Sequence, residues 1–195
     1  MSIFRLVFWM VLAIPAGLMV NALVSREALA MDLYQPSGEM ALRLMLLAML
    51  AGPLSTIFGS NRFLRTWLAV RRNLGVAAFC YGLLHFVFYL IDMQSMAAIL
   101  DELWLPGIWT GWLAFLLMAL AASISTDWAM QKLGRNWKRL QRGVYGAYLL
   151  ACIHWWLLDR DPGPALVYLA PLLIAWTVRL SVTARRRNTR KEIPA

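Results

Sequence analysis

A chain of 195 residues that is 61% hydrophobic and only 15% charged, with ten tryptophans, is too apolar for a soluble domain. Two cysteines without metal-ligand spacing, Cys80 and Cys152, make neither a zinc site nor a disulfide scaffold and are expected to be packing residues. The net charge of +9 is set by membrane topology, which removes it as an argument for nucleic-acid binding.

In chain order, six apolar segments predict an all-α integral membrane protein, a six-transmembrane-helix bundle with spans over 3–24, 40–58, 73–91, 107–126, 143–158 and 164–183. Segment 3–24 has one Arg5 before a long apolar run and no convincing small-residue cleavage site. It is therefore expected to be a retained first helix, not a secretory signal. Pro15, Pro53 and Pro171 fall within spans, where neighbouring helices can satisfy the freed carbonyls.

Between the second and third spans, Ser60 to Arg72 interleaves Phe63, Leu64, Trp67 and Leu68 with arginines, a pattern suited to a short helix at the inner interface. Trp104, Trp109 and Trp112 on one side, and Trp128 and Trp137 on the other, read as interfacial belts. Asp161-Pro-Gly-Pro164 reads as a tight turn before the last span. The domain plan is a helical domain over 1–183 and a basic tail over 184–195, expected to be mobile beside anionic lipid headgroups.

Charge sets the orientation. Sixteen of the nineteen basic residues, with only Asp127 and Glu192 as acids, fall on one side; Arg26, Arg43 and Arg160 face eight acids on the other. The positive-inside rule then predicts that both N- and C-termini are cytoplasmic.

The only two histidines, His85 and His154, stand inside the third and fifth spans. An imidazole in hydrocarbon is costly and marks a functional hypothesis. They lie thirteen residues beyond Arg72 and twelve beyond Arg142, about 20 and 18 Å up at ~1.5 Å per residue, on helices running the same way. Below them, Gly75, Ala78 and Gly82 share one face of the third span, and Gly143, Ala147 and Ala151 share one face of the fifth. Each histidine thus crowns a stripe of minimal side chains, a slot for a flat macrocycle. Two imidazoles with no further Cys, His or carboxylate nearby fit axial ligation of a haem b better than a zinc site. Helix packing through small residues, with histidines bonding across helices, is the alternative explanation of the stripes.

No Ser-His-Asp arrangement, phosphate-binding loop or soluble nucleotide domain is present, so a redox role draws both donor and acceptor from elsewhere. A non-redox reading, a small transporter or assembly protein, lacks the internal pseudo-symmetry that transporters show.

RRNLGVAAFCYGLLHFVFYLIDM (Arg71 to Met93), STDWAMQKLGRNWKRLQRGVYGAYLLACIHWWLL (Ser125 to Leu158) and GEMALRLMLLAMLAGPL in the second span resemble the MsrQ (YedZ) family of the ferric-reductase-like transmembrane superfamily. The resemblance extends over essentially the whole chain. It implies a bacterial inner-membrane, multi-pass cytochrome carrying haem b and associated with FMN. Such a protein would pass electrons from the quinone pool or a cytoplasmic flavin reductase to MsrP, a periplasmic molybdopterin methionine sulfoxide reductase. His85 and His154 match the family's two haem ligands. A related haem reductase serving another acceptor shares the same helical core. One departure stands out: where relatives carry a further histidine thirteen residues before the second ligand, this chain has Gln141 in LQRGVY. A second, lower haem is thereby put in doubt, and Gln141 with Arg71 or Arg72 is expected to line a site for flavin, quinone or a weakly held second haem. Plain anchoring of the membrane edge accounts for those arginines equally well.

Overall fold

The computed structural model describes residues 3–59 and 61–191, with backbone alone over 188–191. Ser60, at the head of the expected interfacial segment, and Glu192, in the basic tail, lie outside the described residues. The described chain is helical with no strand: α1 (Ile3–Val24), α2 (Tyr34–Phe58), α3 (Arg62–Met93), α4 (Met96–Glu102), α5 (Pro106–Ser123), α6 (Asp127–Leu133), α7 (Arg135–Gln141), α8 (Gly143–Asp159) and α9 (Pro162–Lys191). Helices that close their own backbone hydrogen bonds suit hydrocarbon, where no water replaces a missing partner. Five helical segments are long and apolar enough to cross a membrane: Ile3–Val24, Met31–Phe58, Arg62–Met93, Pro106–Ser123 and Pro162–Arg187. The expected fifth span, α8, has 17 residues, about 26 Å at ~1.5 Å per residue, a little short of a ~30 Å core.

The antiparallel pairs α2/α3 and α5/α8 pack most extensively, and α9 closes over α2 and α8. Their shared core holds Leu42, Met45, Ala48, Ala77, Ala78, Tyr81, Ala147, Tyr148 and Cys152. The Tyr148 hydroxyl donates to the Tyr168 carbonyl at 2.8 Å, tying α8 to α9. α1 has no buried residue. Pro15 deprives its helix of one N–H, and one residue on, the Tyr81 hydroxyl enters the ladder. It accepts from the Ala16 N–H at 3.1 Å and donates to the Leu12 carbonyl at 2.7 Å. A side chain inserted beside a proline is a recognised way to satisfy a locally opened helix.

The interfacial segment differs from expectation. Arg62 to Met93 is one helix of 32 residues, about 48 Å long at ~1.5 Å per residue. No proline or glycine interrupts it before Gly75, and Asn61 caps its start by accepting from the Leu64 N–H at 2.8 Å. The segment is the first turns of α3, not a separate helix. Leu64 is buried, Phe63 is exposed, and the Trp67 indole donates to the Leu47 carbonyl at 3.0 Å.

Of the tryptophans expected in the belts, Trp104, Trp109 and Trp128 are exposed and Trp112 and Trp137 are half-buried. Trp112 turns inward and packs edge-on against Phe86 at 4.9 Å, and the Trp137 indole donates to the Ile124 carbonyl at 2.9 Å. Cys152 is buried but Cys80 is exposed, so only one of the cysteines packs. Arg160, with φ 58°, turns the chain between α8 and α9. The Asp161 carboxylate then accepts from the Gly163 N–H at 2.9 Å, and Pro162 already belongs to α9. That helix continues to Lys191, past the expected span end at 183.

Candidate functional site

His85 on α3 and His154 on α8 face each other across a cavity of about 320 Å³ near the acid-rich end of the bundle. Their ring centroids are 6.2 Å apart and their planes stand at 89°. The Nδ1 atom of His85 lies 3.0 Å from the Tyr34 carbonyl, in the first turn of α2. The Nδ1 atom of His154 lies 2.5 Å from the Gly107 carbonyl, in the first turn of α5. Each helix of an antiparallel pair therefore anchors the imidazole of its partner. With both Nδ1 atoms engaged, the Nε2 atoms remain available to an occupant of the cavity.

The donor set restricts that occupant. Among the described residues there is no group of three or more His, Cys, Asp or Glu side chains that could hold a metal ion. A metal held here by two imidazoles must bring its other ligands with it, as a haem does. Two metal–imidazole bonds of about 2 Å each fit within the 6.2 Å between the rings. The walls suit a flat apolar group: Phe86, Trp112, Phe115 and Met118 line the space.

The small-residue stripes divide. Gly82 and Ala151 line this cavity, whereas Ala78 and Ala147 are fully buried in the packed core. A Cβ on Gly143 would meet Leu117 at 4.0 Å. Gly75 lines a second cavity, of about 440 Å³, toward the basic end. Met45 and Met118 line both cavities, and the small residues that line space are divided between the two.

The second cavity brings together Arg71, Arg72 and Gln141, with Lys138, Arg142 and Tyr145 also in its wall. The Gln141 amide donates to the Ala121 carbonyl and to the Ser125 hydroxyl, both at 3.0 Å, and so fastens α7 to the end of α5. Arg72 pairs with Asp127 at 2.5 Å. That guanidinium, by hydrogen bond and then by charge, holds the Asp127 carboxyl below its ordinary range.

Sequence reasoning missed Ser37, Gly38 and Gly111, which meet the histidines from the opposite helices, and Thr110, whose hydroxyl bonds to the Gly107 carbonyl that meets His154. A Cβ on Gly38 would stand 3.2 Å from His85 Nδ1, and one on Gly111 would stand 2.6 Å from His154 Nδ1. The available signal was a hydroxyl–glycine pair early in each helix, in YQPSG and GIWTG.

Residues 37–152 match the family described as ferric reductase like transmembrane component. The chain is 36% identical over 166 residues to the protein-methionine-sulfoxide reductase heme-binding subunit MsrQ of Bordetella pertussis, covering 80% of this chain and 77% of that protein. It is 35% identical over 169 residues to MsrQ of Xanthomonas campestris pv. campestris, covering 84% and 76%. The same identity and coverage relate it to MsrQ of Xanthomonas axonopodis pv. citri.

Proposed function

We propose, for a chain that belongs to the MsrQ family of ferric-reductase-like transmembrane proteins, that it is a b-type cytochrome with His85 and His154 as axial ligands of one haem. The observation that carries this reading is the pair of imidazoles 6.2 Å apart across an apolar cavity, each held by Nδ1 on a backbone carbonyl. A backbone carbonyl on the far nitrogen fixes ring orientation and raises the basicity of the ligating nitrogen. Gly82 and Ala151 leave the walls open, and Phe86, Trp112 and Phe115 exclude water. When bound, a haem supplies one-electron chemistry between its ferric and ferrous states.

Membership of the family supports the physiological role in this reading. The chain conducts electrons from the quinone pool or a cytoplasmic flavin reductase, across the bacterial inner membrane, to a periplasmic molybdopterin reductase of the MsrP kind. That partner repairs methionine sulfoxide in envelope proteins. In this reading α8 is the fifth of six spans, both termini are cytoplasmic, and the basic residues Arg185 to Arg187 near the end of α9 lie at the inner headgroups. The inner cavity with Arg71, Arg72 and Gln141 receives the donor, a quinone or FMN, its cations facing the donor's polar end. Gln141, its amide bonded within the helices, provides no imidazole for a lower haem.

A reduced-minus-oxidised spectrum of the purified chain tests the cytochrome assignment. A b-type difference spectrum with one haem per chain by pyridine haemochrome is the expected result. Protein that folds, is supplied with haem and shows no such spectrum refutes it. Reduction of the partner reductase by the reduced cytochrome in a reconstituted mixture tests the acceptor.

A further inference from the structure

Ser37 and Thr110 are the two buried polar residues among those described. They occupy equivalent places in two helices, each followed by glycine. The Ser37 hydroxyl donates within its own turn, to the carbonyls of Leu33 at 2.5 Å and Tyr34 at 3.0 Å. The Thr110 hydroxyl does the same, to Pro106 at 2.7 Å and Gly107 at 2.8 Å. In both helices the carbonyl three residues before the hydroxyl, and four before the glycine, is the one that meets a histidine Nδ1: Tyr34 for His85 and Gly107 for His154.

Helix side chains lean toward the N-terminus, so a side chain covers the carbonyls of the preceding turn. The hydroxyl bonds above show how near such a side chain comes. A Cβ at position 38 would stand 3.2 Å from His85 Nδ1 and 3.4 Å from Cε1; at position 111 it would stand 2.6 Å from both Nδ1 and Cε1 of His154. Glycine at these two positions lets an imidazole from the neighbouring helix reach a carbonyl that any other residue would cover.

We propose that Gly38 and Gly111, each beside a hydroxyl spent on its own turn, are positioning residues that expose the Tyr34 and Gly107 carbonyls and thereby hold the proton of each histidine on Nδ1. A carbonyl only accepts, so the nitrogen facing it carries the hydrogen, and in a neutral imidazole the other nitrogen then holds the lone pair. The Ser37 oxygen also lies 3.4 Å from His85 Nδ1, farther than its 2.5 and 3.0 Å contacts to the Leu33 and Tyr34 carbonyls, and from there it can itself accept from an Nδ1–H. Both Nε2 atoms thus present lone pairs to the cavity. The tautomer assignment depends on the backbone alone, while its consequence for haem rests on the reading proposed above.

The chain has only two histidines, so ¹⁵N-histidine labelling gives two resolvable rings. In the purified full-length protein, both are expected as Nδ1–H tautomers with slowly exchanging protons. Gly38→Ala should speed exchange of the His85 proton at least tenfold and leave His154 unaltered; Gly111→Ala should do the reverse. Ser37→Ala should leave both on Nδ1, and Gly146→Ala, on α8 with only ordinary contact at 3.7 Å, should change neither. In haem-loaded Gly38→Ala, the midpoint potential should rise by about 59 mV, a tenfold shift toward the reduced state, because the ligand is less basic. If Gly111→Ala fails to accumulate, Gly38→Ala carries the test, its clash being milder. Unchanged His85 exchange in Gly38→Ala overturns the proposal, and so does an equal response of both rings to either glycine. Nδ1–H rings in a protein that binds no haem would refute the cytochrome and leave the positioning role standing.

Discussion

At the acid-rich end, the space between helices is lined by two imidazoles, six aromatic side chains and glycines, with Glu39 and Asp159 in its wall; at the basic end, by guanidinium, ammonium, amide and phenol groups. Helices α2, α3, α5 and α8 line both cavities, α7 joins them at the inner one, and Met45 and Met118 stand in the walls of both. The outer imidazoles are held by backbone carbonyls, whose position follows from the helix itself. The inner polar groups are held by other side chains, Gln141 by Ser125 and Arg72 by Asp127, although Gln141 also reaches the Ala121 carbonyl. A backbone anchor fixes direction and tautomer tightly enough for metal ligation. Side-chain anchors at the end of exposed residues suit a ligand that arrives and leaves. On the function proposed above, the contrast is between a resident group and a visiting one.

The strongest break in that contrast is loss of an imidazole. His85→Ala or His154→Ala should abolish the low-spin haem b spectrum completely, because six-coordinate iron loses an axial bond. A variant with an unchanged visible spectrum removes the ligand assignment. The emptied space also leaves a cavity that destabilises packing, so thermal stability should be followed in the same samples.

Filling the outer cavity is the next largest change. Gly82→Leu or Ala151→Leu adds bulk where both residues line the space, at an overpacking cost of about 1–3 kcal/mol. Haem content should fall several-fold with both histidines intact. Gly17→Leu, on a face of α1 with nothing within 4 Å of its added Cβ, is the comparison. An equal loss of haem in that variant defeats the cavity argument.

The fate of the stripes shows what the sequence made legible. Apolar runs locate α1, α5 and α8 within three residues, but α2 and α3 begin six and eleven residues before the expected spans and α9 ends eight residues after its own; the two histidines stand out because they lie alone in apolar runs. Position on a helix face does not say what the face meets. Gly82 and Ala151 open a cavity, while Ala78 and Ala147, on the same faces, pack solidly. Small residues serve both ends in membranes. Trp112 was unreadable for the same reason, since a tryptophan near a span end looks alike whether it faces lipid or Phe86. Gly38 and Gly111 escaped because their meaning lies in a neighbouring helix. The length of α3 was hidden by a change of composition without any helix breaker.

Converting the inner cavity toward the outer kind sharpens the comparison. Gln141→His replaces an amide in the cavity wall with an imidazole, and should raise haem content above one per chain or add a second spectral component. Two haems per chain in the unmodified protein would show that the lower site holds one without a histidine there.

The smallest effect concerns the Arg72–Asp127 pair, exposed on both sides. The hydrogen bond from Arg72, and then its charge, depress the Asp127 carboxyl below its ordinary 3.8. A depressed carboxyl contributes stability that is present above the unfolded-state value and is lost as pH falls through the folded one. Asp127→Asn should therefore lower the thermal midpoint slightly at neutral pH, and the difference from the parent should vanish in acid below the depressed value. The same substitution leaves Arg72 in the inner cavity wall with its charge uncompensated. If that cavity receives an anionic or carbonyl-bearing donor, Asp127→Asn should preserve or speed haem reduction, whereas Arg72→Ala should slow it without removing the outer haem. Equal slowing by both would mean that the pair acts as a structural clasp between α3 and α6, with no part for Arg72 in electron entry.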